Sequence, residues 1–385
     1  MTTAERRGLW DVILDNYLLL IAGTVVALVW ANVDHASYES VAHSIHFAVN
    51  DIGMVFFFAL ATKEIVEAAL PGGPLASPRE AAVPVLAAVG GMVAPAGLYA
   101  LQAVIGNHPE LMRGWAIPCA TDIAFSYMAA RLVFGKNHPA IPFLLLLAIA
   151  DDALGLVLLA LFYPTGPISL AWFFGLMIPA IGTGLFLRRR KVKNFWAYTL
   201  LAGGFSWAAM YLGGIHPALA MVPIIPMMPH AKRDLGIYAE EELHLTDTMN
   251  RFHHWWHVPV QFILLLFGFA NAGVEFSSVG TGTWMVLLSL ILGKPLGIVT
   301  LTLLGVAVGL RIPGGLSFRQ LVLLGVTAGI GFTVALFFAT AAFPVGENLN
   351  QVKMGALFSF IAFPLSILLS RLWRERPLPL FNQQQ

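Results

Sequence analysis

Apolar runs of membrane-spanning length follow one another along this chain, separated by short polar breaks. Twelve can be drawn, at roughly 10–31, 52–70, 82–105, 115–134, 140–162, 168–187, 194–212, 214–228, 257–274, 283–305, 320–343 and 353–373. Most are close to the ~20 residues that a helix needs to cross the hydrocarbon. The run 214–228 is the shortest and is rich in proline. The pattern predicts an all-α polytopic membrane protein of twelve transmembrane helices. The longest mostly polar stretch, about Pro229 to His257, is too short for a soluble domain.

Composition agrees. The chain is 58% hydrophobic and 11% charged, where soluble domains carry about 25% charged residues. Basic residues test the span count. Of the 22 Lys and Arg, only Arg113 and Lys353 fall on one side of the predicted membrane, and Lys294 lies inside a span. All the others fall on the opposite side, so the positive-inside rule puts both termini in the cytoplasm. A missed or extra span would scramble that alternation. Arg6 and Arg7 precede the first run as in a signal peptide, but no A-x-A site follows, so the run is expected to be retained. Residues 374–385 are expected to form a flexible cytoplasmic tail. The net charge of +1 and the lack of a basic block with interleaved aromatics predict no nucleic-acid partner. The lone Cys119 excludes an intramolecular disulfide and reads as a small apolar filler.

Two spans look interrupted. The fourth opens Gly114-Trp115-Ala116-Ile117-Pro118-Cys119-Ala120-Thr121-Asp122, where Pro118 removes a backbone donor. The eleventh carries Gly325, Gly329 and Gly331 around Thr327 and Thr333, a spacing that permits either a break or close helix packing. These two spans are the middle members of spans 3–5 and 10–12, and the two groups start from opposite sides of the membrane. That predicts inverted three-helix repeats around a midplane site. Spans 3–5 and 10–12 would be the ion-binding core, with spans 1, 2 and 6–9 as the remaining bundle. The whole of 1–385 would then be a single transport domain.

Four ionisable residues lie at depth: Asp122, Asp151, Asp152 and Lys294. Asp151 and Asp152 sit in a run, Ile141 to Phe162, with no other charge. An ionised carboxylate at the bilayer centre costs roughly 2.5–3.5 kcal/mol on insertion scales, so its default reading is an ion or proton site. Adjacent residues point about 100° apart on a helix. One aspartate can face an ion path while the other faces a neighbouring helix, and Lys294 is the natural ion-pair partner for one of the acids. Carboxylates, the Thr121 hydroxyl and unwound backbone near Asp122 are the oxygen ligands that a hard cation favours. Close acids titrate as a coupled set. If a cation and a proton compete for one such site, and the site faces one side at a time, antiport follows.

The motifs Ala120-Thr121-Asp122-Ile123-Ala124-Phe125, Leu147-Ala148-Ile149-Ala150-Asp151-Asp152, Phe269-Ala270-Asn271-Ala272-Gly273-Val274, Gly293-Lys294-Pro295-Leu296-Gly297 and Gly329-Ile330-Gly331-Phe332-Thr333 resemble the signatures of bacterial NhaA-type sodium/proton antiporters. Gly114 to Pro118 and Leu86 to Met92 match as well, and the resemblance runs from about Asn50 to Arg374 in the right order. It implies an antiporter, not an enzyme, in the cytoplasmic (inner) membrane. Twelve spans with crossing discontinuous helices 4 and 11 would exchange Na+ or Li+ for protons, electrogenically and under pH control. It implies no cofactor, only transported ions and membrane lipids as partners, and roles in pH homeostasis and salt tolerance. Inverted repeats are an established property of that family, so the topological inference and the resemblance are not independent.

The resemblance also implies roles. Asp152 would be the central ion and proton carrier, with Asp151 beside it and paired to Lys294. Na+ would sit at Asp152, Asp151 and Thr121. Asp122 would offset the dipoles of the half-helices, and Glu64 would match a pH-sensing glutamate. The chain departs from longer members in its short Ala31–Asn50 segment, where they carry a β-hairpin that makes the dimer contact. A homodimer, if formed, would lack that hairpin. It also lacks the basic pair beside the acids of Lys63-Glu64-Ile65-Val66-Glu67.

His230, His244, His253, His254 and His257 cluster with Glu240, Glu241, Glu242 and Asp247 at the predicted cytoplasmic face. Histidine titrates near neutrality, which suits pH sensing. A solvated loop is the other account. Asn271 and Gly273 read as packing. Two other functions compete with antiport. One is an intramembrane aspartyl protease with Asp122 and Asp152 as its dyad, although no G-x-G-D motif occurs. The other is a bile-acid-type sodium symporter on a related fold.

Overall fold

The computed structural model describes residues 17–230 and 247–373, and those residues contain helices and turns but no strand. Among these residues seven helices are long and apolar enough to cross a membrane: His35–Ala69, Ala81–Ile105, Ala140–Phe162, Leu170–Arg189, Thr248–Ala272, Thr281–Ala307 and Glu347–Leu372. Two bent pairs add to them, Pro109–Cys119 with Ile123–Phe134 at 57°, and Phe318–Ala328 with Phe332–Ala342 at 52°. A shorter apolar helix, Leu18–Val33, packs along Thr248–Ala272. The tail 374–385, the first 16 residues, His244 and Glu240 to Glu242 lie outside the described residues.

The run 140–162 matches its helix end to end, because Pro139 and Pro164 bracket a stretch whose only charges are Asp151 and Asp152. Both interruptions fall where proline and glycine stand. The first lies between Cys119 and Ile123, the second between Ala328 and Phe332. The two alternatives for the eleventh span are both realised, at different glycines. Gly329 and Gly331 lie at the break, while Gly325 packs on Pro295 of helix Thr281–Ala307.

Three expectations need correction. Residues 214–228 form no α-helix; they wind through short 3-10 turns at Pro217–Leu219 and Ile225–Met227. Prolines at 217, 223, 226 and 229 remove the amide donors that a helix needs. The second span starts at His35, not at 52. Asp34 caps that start by accepting from the Ser37 N–H at 3.1 Å, and a π-turn at Ala48–Gly53 carries the helix through. Its histidines, serines and Glu39 hide the first turns from a hydropathy reading.

The ninth span likewise starts early. Asp247 accepts from the Asn250 N–H at 2.8 Å and opens a helix at Thr248. His253, His254 and His257 are therefore helical, and the solvated-loop account fails for them.

Asn271 and Gly273 do pack. Asn271 and Asn50 exchange side-chain amide hydrogen bonds at 3.0 and 2.9 Å. The Gly273 N–H donates to the Tyr38 hydroxyl at 3.1 Å, and any side chain at 273 would strike that ring.

Candidate functional site

Helices Pro78–Ile105 and Thr281–Ala307 cross at Gly90 and Gly297, where a Cβ on either would collide with the other's carbonyl. This close approach brings Lys294, fully buried, under the first break. Its ammonium donates to the Cys119 carbonyl at 2.5 Å and to Asp151 Oδ2 at 3.0 Å. The 3-10 turn Ile117–Cys119 ends there, so Cys119 contributes a carbonyl that the break has freed from helical bonding. Thr121 Oγ1 donates to the same Asp151 oxygen at 2.6 Å. Asp151 Oδ1 has no hydrogen-bond partner among the described residues.

Asp122 joins the two breaks. Its N–H donates to the Ile330 carbonyl at 2.7 Å. Its side chain caps helix Ile123–Phe134, accepting from the Phe125 N–H at 3.4 Å. Its other oxygen accepts from the Thr333 N–H at 3.1 Å and from the Thr333 hydroxyl. One carboxylate thus lies at the N-termini of two half-helices, where both dipoles favour negative charge. The second half-helix has a further cap. Ser359 Oγ accepts from Gly331 and Phe332 N–H at 3.2 and 3.3 Å and donates to the Ala356 carbonyl at 2.6 Å.

Replacing Ser359 by Ala strands two buried amides at about 1–3 kcal/mol for each unsatisfied group. The Ser359→Ala protein is expected to melt several degrees below the parent in detergent, with Ser359→Thr close to the parent. Equal melting for Ser359→Ala would remove the cap from this account.

Asp152 differs from both neighbours. It is half-buried and makes no hydrogen bond or ion pair to any described residue. It lines a cavity of about 90 Å³ with Glu64, Thr121, Asp122, His253 and His257. That is well above the roughly 10–15 Å³ that one water requires. The cavity lies between helices His35–Ala69 and Thr248–Ala272 on one side and the breaks with Ala140–Phe162 on the other. Glu64 is exposed, on the turn next to the ion pair between buried Lys63 and half-buried Glu67. Glu64 lies near the end of helix His35–Ala69 beside Lys63, and His253 near the start of helix Thr248–Ala272 beside Arg251. Phe58 and Phe337 are buried and meet edge to face at 5.0 Å, and Phe338 is buried as well.

The structure thus brings Thr121, Asp151 and Lys294 into direct contact, with Asp122 and Asp152 beside them along the cavity. His254 is exposed and does not line the cavity. Among the described residues no three of His, Cys, Asp and Glu group as a metal site. A cation here would need hydroxyl and carbonyl oxygens as well. Sequence reasoning missed the Cys119 carbonyl and the Thr333 and Ser359 hydroxyls. Thr333 was visible as a hydroxyl just after the Gly329–Gly331 break. The other two had no residue-type signal.

A family model described as Na+/H+ antiporter 1 matches residues 15–369. The Na(+)/H(+) antiporter NhaA of Geobacter metallireducens is 46% identical over 370 residues, 94% of this chain and 96% of that one. The antiporter of the same name from Jannaschia is 42% identical, covering 94% and 97%. Among solved structures, the sodium proton antiporter MjNhaP1 of Methanocaldococcus jannaschii aligns with a TM-score of 0.52 at 17% identity. That alignment covers 94% of this chain and 90% of that chain, a likeness of fold.

Proposed function

The chain belongs to the Na+/H+ antiporter 1 family, and on that premise we propose that it exports Na+ or Li+ in exchange for protons, with Asp152 as the carrier. Family membership sets aside the protease and the bile-acid-type symporter. The observation that carries the assignment of the carrier is the contrast between two adjacent acids. Asp151 is held by Lys294 and Thr121, while Asp152 lines a cavity with no hydrogen-bond or ion-pair partner among the described residues.

A carboxylate in that position takes either a proton or a cation. Cation binding displaces the proton, so apparent sodium affinity weakens as pH falls. The Thr121 hydroxyl spends its proton on Asp151, which leaves its lone pairs for the cation. Asp151 Oδ1 supplies a further oxygen. The ammonium of Lys294 offsets the charge of Asp151, so the cluster need hold only one added cation. When the ion leaves to one side, a proton takes its place on Asp152 and the site returns.

The finer architecture belongs to the same reading. Twelve spans would include broken helices 4 and 11 crossing at their breaks. Spans 3–5 and 10–12 would rock as the core against spans 1, 2 and 6–9. Both termini would be cytoplasmic, in the inner membrane. With more protons entering than sodium leaving, the membrane potential contributes about 2.3 kcal/mol per net charge per 100 mV. Glu64, His253 and His257 share the cavity with Asp152, so their protonation changes the potential that a cation meets there. That is the proposed route of pH control.

The test is reconstitution. Purified protein in vesicles loaded with a pH-sensitive dye is expected to move protons on addition of sodium or lithium, but not potassium. No sodium-dependent proton movement at any pH across the neutral range would sink the reading.

A further inference from the structure

A second, larger cavity of about 920 Å³ lies away from the candidate site, on the arginine-rich side. Three segments enclose it: the start of helix Pro78–Ile105, the start of helix Ala140–Phe162, and the loop between Ala307 and Phe318. Its walls are apolar, with Phe143, Leu146, Leu310 and Ile312 among them, and two guanidinium groups, Arg79 and Arg311, line it as well.

Both arginines are exposed, and neither makes an ion pair or hydrogen bond to any described residue. Most of the other lining residues are prolines and glycines. The loop is shaped by glycines at positive φ, Gly309 at 96° and Gly314 at 70°. At Gly314 it packs so closely on Pro139 that a Cβ would collide. The cavity is therefore bounded by closely packed backbone, with two cations that have no ion-pair partner among the described residues.

We propose that this cavity binds one anionic phospholipid, its phosphate held by Arg79 and Arg311 and its acyl chains lying along Phe143, Leu146 and Leu310. The chemistry selects this occupant. Guanidinium groups bind phosphate oxygens in bidentate fashion, and basic pockets between membrane helices on the cytoplasmic side take acidic headgroups. A soluble phosphate would satisfy the arginines but not the apolar wall. A zwitterionic lipid would fill the wall but bring its own cation to the arginines.

The placement gives such a lipid a consequence. Helix Ala140–Phe162 carries Asp151 and Asp152, and the loop continues helix Thr281–Ala307, which carries Lys294. A lipid bridging the two would couple the membrane's acidic lipid content to the spacing of the elements that hold the site.

The test uses the full chain purified in mild detergent and titrated with phosphatidylglycerol, phosphatidylcholine or inorganic phosphate, with bound lipid read by native mass spectrometry. The expected result is retention of phosphatidylglycerol over phosphatidylcholine, with no competition from inorganic phosphate. Arg79→Gln with Arg311→Gln lowers that retention by roughly tenfold or more. The double lysine variant keeps an intermediate level, and a charge-matched pair on the same side, Arg251→Gln with Arg371→Gln, keeps the parent level. Equal retention of both lipids overturns the proposal, as does equal loss in the charge-matched pair, or displacement of lipid by inorganic phosphate.

A measurement on the unaltered chain guards against misfolded variants. Photoactivatable phosphatidylglycerol is expected to crosslink to peptides containing 139–146 and 309–314. Crosslinks confined to other segments overturn the proposal.

Discussion

Asp152→Asn is expected to abolish sodium-driven proton movement while leaving the melting temperature at or above that of the parent. Both halves follow from its surroundings. The amide has the volume of the carboxylate but gives up no proton at neutral pH and offers a cation no net charge. Because Asp152 makes no hydrogen bond or ion pair to any described residue, the substitution strands no partner. It also removes one of three acids that line the cavity, with Asp122 and Glu64, whose mutual repulsion opposes folding.

Asp122→Asn provides the contrast. An amide at 122 cannot accept equally from the Phe125 and Thr333 amides and the Thr333 hydroxyl. It also loses the charge that faces two helix N-termini, so stability falls together with transport. Everted vesicles with a pH-sensitive dye, alongside thermal melting in detergent, separate the two variants. Sodium-driven proton movement near parent levels in Asp152→Asn would remove it as the carrier. A large loss of melting temperature would instead make it structural.

The chain wrote some of this arrangement plainly and some not at all. Ala140–Phe162 is legible to the residue because it is one apolar run between breakers. The breaks are legible only in part: Pro118 and Gly329 to Gly331 stand at them, but Gly90, Gly297 and Gly325 serve close packing and Pro95 and Pro259 lie inside continuous helices. Helix starts were misread at His35 and Thr248 for one shared reason. Each is opened by an aspartate cap and continues through polar residues, so hydropathy registers only the later, apolar turns. Capping chemistry was there to be read: Asp34 and Asp247 stand three residues before the amides they accept from.

Within the site, residue types gave the acids and the lysine, and helix periodicity said that Asp151 and Asp152 point apart. Periodicity could not say which faces Lys294. That depends on the Gly90–Gly297 crossing, a contact between helices some 200 residues apart in sequence. The Cys119 carbonyl was beyond any side-chain reading. Every residue has a carbonyl, and only the break makes this one available to an ammonium.

Lys294→Met is expected to destabilise the protein by about 3–5 kcal/mol, the usual loss when one partner of a buried ion pair is removed. The cause is the carboxylate left behind. Asp151 would keep only the Thr121 hydroxyl on one oxygen and nothing on the other, with no exposed side-chain surface. Adding Asp151→Asn to Lys294→Met removes the stranded charge and is expected to recover most of the melting temperature. Recovery is incomplete because the Cys119 carbonyl still lacks its donor, at about 1–3 kcal/mol.

A double variant that melts no higher than Lys294→Met would mean that the pair is not held by charge compensation. The same double variant separates structure from transport, since it leaves Asp152 in place. Sodium-driven proton movement that persists in it, and still responds to an imposed membrane potential as the parent does, would make Lys294 a positioning residue for Asp151. Exchange that persists but no longer responds to the potential would instead assign the extra transported charge to the Asp151–Lys294 pair.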